Sequence, residues 1–226
     1  CEIIPNQSWL VFPLLKDALF VLDRYSEMEK ILDQLYDKYP NNIEILTNLA
    51  DYYSHKGEFD KALEIFIKQL SSSNAKNYTR YRAWVNACCG WNYYCINDYK
   101  KANEYFTNSS DTYLNIGIDT DSIWTLSWVI LSDLKIGKLD QQENLDIIHE
   151  KIKQNELKDI DLPEVHYNLF RIYNELQDSN KSKEHLDIAY KKLIEIADTI
   201  KKEEYKQSFL KARFHNEIAE AWEKLN

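Results

Sequence analysis

Residues 46–66, Leu46-Thr47-Asn48-Leu49-Ala50-Asp51-Tyr52-Tyr53-Ser54-His55-Lys56-Gly57-Glu58-Phe59-Asp60-Lys61-Ala62-Leu63-Glu64-Ile65-Phe66, decide the fold. Leu46, Leu49, Ala50 and Tyr53 fall at i, i+3, i+4 and i+7, one stripe of an amphipathic helix. Gly57 follows the last turn, where a glycine enters the left-handed region without penalty and ends the helix. Ala62, Phe66 and Leu70 draw a facing stripe on a second helix. Ala62 lets the two axes approach closely, and Phe66 fills the space beside it. The stretch reads as a helical hairpin packed through a small residue.

The pattern recurs, and internal repetition at a fixed period is the mark of a stacked array. Cys89-Gly90, Tyr93, Tyr99, Ala102 and Phe106 repeat it 40 residues later. Val129, Gly137, Leu139 and Gln142 repeat it more weakly after another 40, and Leu169, Phe170, Tyr173, Ser182, Leu186 and Ala189 after a third. Upstream, Leu15, Leu19, Tyr25, Met28, Leu32, Leu35 and Pro40 give one more copy. The small-residue position therefore runs Met28, Ala62, Ala102, Gln142, Ser182, at spacings of 34, 40, 40 and 40. The fourth copy departs from the others. Gln142 stands where Ala is expected and Asp133 where Tyr is expected, so its helix pair is expected to splay or shift register.

The set Leu46, Leu49, Ala50, Tyr53, Gly57, Phe59, Ala62 and Phe66 resembles a tetratricopeptide repeat. The resemblance implies an all-α fold, a right-handed α-α superhelix of the TPR-like solenoid type, with about five helix pairs and a C-terminal capping helix. One domain is expected over 1–226, with repeats at about 8–40, 41–75, 78–117, 119–157 and 160–198 and a cap at about 201–224. The stripes place helices at 8–24, 26–38, 42–56, 59–73, 78–95, 98–115, 119–136, 140–154, 162–176, 179–197 and 201–224. Asp119-Thr120-Asp121-Ser122 and Asp161-Leu162-Pro163-Glu164 read as helix starts, with capping oxygens, Pro in the first turn and acids at the positive dipole end. Phe209, Leu210, Phe214, Ile218, Ala221, Trp222 and Leu225 line one side of the last segment, which is expected to close the end of the array. Gln207-Ser208-Phe209-Leu210-Lys211, His215-Asn216-Glu217-Ile218 and Ala221-Trp222 also resemble the ending of repeat arrays in large bacterial signalling ATPases, cyclases and transcriptional regulators. That second likeness implies that the chain is part of a larger multidomain protein.

Composition agrees. Four Gly and four Pro in 226 residues are too few for an all-β sandwich or barrel, which needs a turn signal every dozen residues or so. Hydrophobic residues at 44% and aromatics at 13% argue against disorder. A net charge of −9 makes nucleic acid a poor partner. No run of apolar residues is long enough to span a bilayer. Cys1, Cys88, Cys89 and Cys95 contain no CxxC pair, and buried free thiols are expected. A cytoplasmic location is the expectation, with a lipoprotein anchored through Cys1 as the alternative.

Chemistry is sparse. With four glycines no phosphate-cradling loop can be written, and GxGxxG, P-loop, nucleophile-elbow and HExxH motifs are absent. His55, His149, His166, His185 and His215 are dispersed, none with a second ligand at metal spacing, although His166 and His185 could face each other across the fifth pair. No cofactor, no metal and no catalysis are expected.

In the tetratricopeptide family the first helix of each pair lines a concave face that holds partner peptides. The resemblance carries this to Glu44, Thr47, Asp51, Ser54 and His55 in the second copy. In the third it falls on Trp84, Ala87, Trp91 and Tyr94, in the fourth on Trp124, Ser127, Leu131 and Lys135, and in the fifth on Glu164, Tyr167, Arg171 and Asn174. The Lys and Asn pair with which some members grip a terminal carboxylate is missing, since Thr47 and Asp51 stand in its place. The expected partner-binding groove is Glu44, Asp51, Trp91, Tyr94, Tyr167, Arg171 and Asn174. Trp91 and Tyr94 lie one turn apart and offer the broad amphipathic surfaces that dominate binding hot spots. The expected function is a protein-interaction scaffold that binds a partner peptide or helix. The alternative is a sensing region of a signalling or transcription-regulating protein, for which an enclosed pocket near the weak fourth copy would speak.

Overall fold

The computed structural model describes residues 25–71, 79–154 and 163–225. Among the described residues there are eleven helices and no strand. They are α1 (Tyr25–Lys38), α2 (Ile43–His55), α3 (Phe59–Ser71), α4 (Thr79–Cys95), α5 (Tyr99–Asn115), α6 (Asp119–Lys135), α7 (Gln142–Gln154), α8 (Pro163–Glu175), α9 (Ser179–Asp198), α10 (Glu203–Lys211) and α11 (Arg213–Leu225). The chain is an all-helical solenoid of antiparallel pairs, α2–α3, α4–α5, α6–α7 and α8–α9. The helix expected over 8–24, partner of α1, lies outside the described residues.

One turn builds the array. Gly57, Asn97, Gly137 and Gln177 sit 40 residues apart and all take positive φ, at 80°, 64°, 85° and 60°. Each ends a first helix with the same two bonds. Gly57 N donates to Ser54 O (3.1 Å) and Glu58 N to Tyr53 O (2.9 Å); at the fifth pair Gln177 N donates to Asn174 O (3.1 Å) and Asp178 N to Tyr173 O (2.9 Å). These close the orphan carbonyls of the last turn. In the third and fifth pairs the next residue then caps the following helix: Asp98 accepts from Lys101 N and Asp178 from Lys181 N. A helix is ended and its antiparallel neighbour begun within three residues.

The expected small positions pack as the repeat requires in most copies. Met28, Ala62 and Ala102 are fully buried and Ser182 nearly so, and each is the fourth residue of its helix. Gly90 is the close approach on the opposite helix. A Cβ there would lie 2.8 Å from the Phe106 ring, so α5 can pack against α4 only because that carbon is absent.

The fourth copy corrects the sequence reading. Gln142 is exposed and Leu139 is 68% exposed, so neither holds a core position. The turn after α6 runs over 136–141, six residues, against three at 56–58, 96–98 and 176–178. The fourth residue of α7 is accordingly Leu145, which is buried. The register has slipped by three residues, and Leu fills the small-residue position. Asp133 pins the longer turn. Its carboxylate is buried and accepts from Asn103 Nδ2 (3.0 Å) and Gln141 Nε2 (3.4 Å), with Lys138 Nζ at 2.8 Å. The helix pair therefore shifts, as one of the two expected outcomes had it.

The second correction is at the C-terminus. Where one helix was expected over 201–224 there are two, because Ala212 adopts φ −56° and ψ 144°, an extended conformation. The break turns α11 back onto α8 and α9, where Ile218 is fully buried against a cluster containing Tyr167, Phe170, Leu186, Ala189 and Leu193. Trp222 stacks on Tyr190 at 4.1 Å and donates to Asp187 Oδ1.

Candidate functional site

The first helices α2, α4, α6 and α8 lie side by side, and the 40-residue period shows directly in their bonds. Trp124 Nε1 donates to Glu164 Oε2 at 3.1 Å, and Lys135 Nζ reaches Glu175 Oε1 at 2.6 Å. Asn168 Nδ2 donates to Ser127 Oγ at 3.0 Å. Such bonds bring the inner faces of successive first helices together and bury part of what the repeat pattern assigned to a ligand. Thr47, Ser54, Ser127 and Leu131 are all buried. Thr47 Oγ1 donates to Ile43 O and shares a 2.6 Å bond with Tyr81, while Ser54 Oγ donates to Asn92 Oδ1. These four are interhelix seams, a correction to the reading that placed them on the ligand face.

The seven expected groove residues fall into three places. At the N-terminal end Glu44 is exposed and Asp51 half-buried. His55, whose ring nitrogen lies 2.9 Å from Asp51 O, leads to Trp91, its ring 6.1 Å from His55 and edge-on to Phe59 at 6.0 Å. Trp91 therefore faces the second pair. Tyr94, one turn on, faces the opposite way: its ring packs edge-on against Trp128 at 4.9 Å and Tyr99 at 5.1 Å. The two aromatics do not form one flat surface, because the α4 residues between them are sealed against neighbouring helices.

The second place gathers residues 77 positions apart. Arg171 Nη2 donates to Tyr94 Oη at 3.0 Å, and Arg171 Nη1 to Asn168 Oδ1 at 3.3 Å. The guanidinium lies over three rings, Trp128 at 5.1 Å, Tyr94 at 5.7 Å and Tyr167 at 6.0 Å. Tyr94, Tyr167 and Arg171 are thus one cluster built on α4, α6 and α8. Burial pushes the Tyr94 hydroxyl above its ordinary value, against the pull of Arg171 and Lys135. Burial does the same to Tyr167. Asn174, the third place, is exposed and accepts from Ser182 Oγ at 2.7 Å. Beside it Tyr167, Phe170, Glu217 and Glu220 line a cleft of about 350 Å³ between α8 and α11.

Two features were not legible in advance. Phe214 of α11 reaches Trp128 at 6.2 Å, so the chain's own C-terminal helix occupies part of the inner face. Trp128 Nε1 is a buried donor with no hydrogen-bond partner among the described residues, and its ring is enclosed by Tyr94, Phe106, Trp124 and Phe214. Nearer the start of the first helices, a cavity of about 230 Å³ is lined by Trp84, Ala87, Tyr113, Asp121, Trp124 and Glu164.

Away from the inner face, His166 Nδ1 and His185 Nδ1 meet at 3.0 Å, as their placement in the fifth pair allowed. His149 of α7 joins them, stacked on His185 and bonded to Tyr173 Oη at 2.7 Å. Among the described residues no group of three or more His, Cys, Asp or Glu has the arrangement of a metal site. Burial pushes the Cys89 thiol up to about 12. No helix among the described residues is long and apolar enough to cross a membrane.

Comparison with known proteins places this geometry. Residues 31–64 match the family model of the tetratricopeptide repeat. Among solved structures the fold is similar to that of BtubC (BKLC) from P. vanneervenii, with 14% identity over 90% of this chain and 84% of that one and a TM-score of 0.53. It also matches "MamA MSR-1 C2", with 15% identity over 82% of this chain and 97% of that one and a TM-score of 0.49. At such identities the likeness to BtubC is one of fold.

Proposed function

We propose that this tetratricopeptide-repeat protein is a non-catalytic interaction scaffold, and that a partner peptide or helix lies along the inner face of α4, α6 and α8. One observation carries the reading. Arg171 is a half-exposed guanidinium framed by Tyr94, Trp128 and Tyr167, and among the described residues its hydrogen bonds go to neutral oxygens. No carboxylate of the described residues pairs with it. A cation held by aromatic rings and left without a counter-charge suits an acidic group brought by a partner. Trp91, turned toward the second pair, offers a separate apolar anchor on His55 and Phe59, and Glu44 and Asp51 suit basic residues at that end. Asn174 lies at the other limit of the surface.

The test is a peptide array read against the wild-type chain and two variants. Arg171→Gln should lose preference for acidic peptides by about tenfold or more, the loss expected when one charged partner of a hydrogen-bonded pair is removed. Trp91→Ala should weaken retained peptides generally. Both should keep the helical circular dichroism. Unchanged binding in both variants rejects the groove.

The sensing alternative called for an enclosed pocket near the fourth copy; the pocket beside the loosened fourth pair supports it in position, though it is half open. A small ligand there would touch α4, α6 and α8 together and so bias the curvature of the array.

A further inference from the structure

We propose that the cavity between α4, α6 and α8 binds a single organic cation, an ammonium or guanidinium group, held between the indoles of Trp84 and Trp124 and neutralised by Glu164 and Asp121. For its natural occupant the proposal rests on the groove reading: the cation is the Lys or Arg side chain of the bound segment.

The walls come from equivalent positions of successive repeats. Trp84, Trp124 and Glu164 are spaced by 40; the two tryptophans lie in the second turns of α4 and α6 and Glu164 in the first turn of α8. Tyr113 from α5 and Asp121 from the first turn of α6 complete the lining. The volume of about 230 Å³ takes more than one water and suffices for a charged head on a short aliphatic stem. Aromatic faces bind such a head through their quadrupoles, with Trp the strongest.

Glu164 gives the cavity its sign. Its carboxylate accepts one hydrogen bond, from Trp124 Nε1, and no cation of the described residues pairs with it. A carboxylate enclosed by indoles without a counter-charge is costly unless something supplies one. Among the described residues the one cation paired with Asp121 is Arg80, at 3.8 Å and largely in solvent. Burial raises both carboxyls from their ordinary values, Glu164 against the Trp124 hydrogen bond and Asp121 against the pull of Arg80. The net charge of −9 draws cations toward the whole surface. Arg171, seven residues and about 10 Å further along α8, has the opposite vacancy. A segment that meets both presents a basic and an acidic residue about 10 Å apart.

The experiment titrates the intact chain with n-butylammonium and n-butylguanidinium, with n-butanol as neutral control, and reads the indole N–H resonances by NMR. Trp84 and Trp124 signals, assigned through Trp84→Phe and Trp124→Phe, should shift saturably with the cations and not with butanol. Glu164→Gln keeps the shape and the Trp124 bond, so it should fold normally and weaken the cation at least tenfold. Asp121→Asn should weaken it a few-fold. N-acetyl-lysine-methylamide against its norleucine analogue distinguishes a peptide side chain from a free amine: the lysine compound should match butylammonium, whereas response to the free amine alone overturns the assigned occupant. No shift in the wild type, or equal affinity in Glu164→Gln, overturns the site. Binding seen only in Arg80→Gln overturns it too, since the chain's own guanidinium would then be the occupant. These readouts do not involve Arg171 or Trp91, so a failed cavity leaves the array result standing, and a failed array leaves the titration standing.

Discussion

The third and fourth helix pairs come from adjacent stretches of chain and share a turn geometry, yet they are held together differently. In the third, α4 buries Ala83, Val85, Ala87, Cys89, Gly90, Asn92 and Tyr93, and α5 answers with Ala102, Phe106, Ser109, Ser110 and Tyr113. In the fourth, α6 buries nearly its whole length from Ser122 to Leu134, while α7 buries only Leu145 and Ile148. The missing partner is supplied from elsewhere: α6 packs against α5 on one side and α8 on the other. Continuity passes from α5 to α6 and then directly from α6 to α8, so α7 can be loosened without breaking the array. The contacts that join residues 40 and 77 positions apart on the inner face converge on α8, while α7 stands aside.

The contrast breaks most plainly at Phe106. It is fully buried, stacks on Trp128 at 5.7 Å and covers Gly90. Phe106→Ala should cost about 3–5 kcal/mol, transfer and cavity terms together. Ile147, half-buried on α7, should cost about 1 kcal/mol when cut to Ala. Urea unfolding of both variants measures the difference. Equal losses would mean that α7 is as integral as α5.

A smaller effect tests what does fasten α7. His149, His166, His185 and Tyr173 form a stack between α7, α8 and α9, with Asp146, Glu184 and Lys181 the charged groups around it. Burial, then His166 and His149, push His185 down to about 3, and burial pushes His149 down. A histidine depressed in the folded state is neutral there and protonates first in the unfolded chain. Its contribution is complete above the ordinary value of 6.5 and is lost as pH falls from there toward 3. For His185 the slope is at most about 1.4 kcal/mol per pH unit. Melting should fall between pH 7 and pH 5, with amide exchange rising first in residues 142–154. His185→Phe keeps the stack on Tyr173 and should flatten the slope. A slope unchanged in that variant places the acid sensitivity elsewhere.

The sequence carried most of the fold because its signals are local. Ala62, Ala102 and Gly57 each act within their own hairpin, and their spacing is enough to place the pairs. What lay beyond reach was set by contacts between repeats or by a single backbone angle. Nothing in Leu139 or Gln142 announces a six-residue turn, and only the burial of Leu145 reveals the slip. Ala212 is a good helix former, yet it sits in extended backbone because α11 gains its core by folding back. The candidate site was legible as a set of positions, not as an arrangement. Tyr94, Tyr167 and Arg171 were nameable from the period, but their meeting over Trp128 depends on the packing of α6 against α8. Thr47 and Ser54 look like groove residues until their bonds to Tyr81 and Asn92 are seen.

The finest comparison lies in the turns. Gly57 and Gly137 reach positive φ freely, whereas Asn97 and Gln177 hold it at 64° and 60° with a side chain in place. Asn tolerates this region because its short polar group satisfies the local backbone; Gln has no such compensation. Left-handed backbone costs an ordinary residue about 1–2 kcal/mol, and the greater unfolded freedom of Gly returns about 0.5–1 kcal/mol of that. Gln177→Gly should therefore raise stability by about 0.5–1 kcal/mol, seen as a higher melting temperature, and Asn97→Gly should change it less. The converse, Gly137→Gln, measures the fourth pair against the rest. Gly137 N and Lys138 N make the same two bonds, to Leu134 O and Asp133 O, that close the shorter turns. The added residues of the turn lie after this motif and give it no slack. The substitution should cost as much as Gln177→Gly gains, and a negligible cost would show that the six-residue turn relaxes where the three-residue turns cannot.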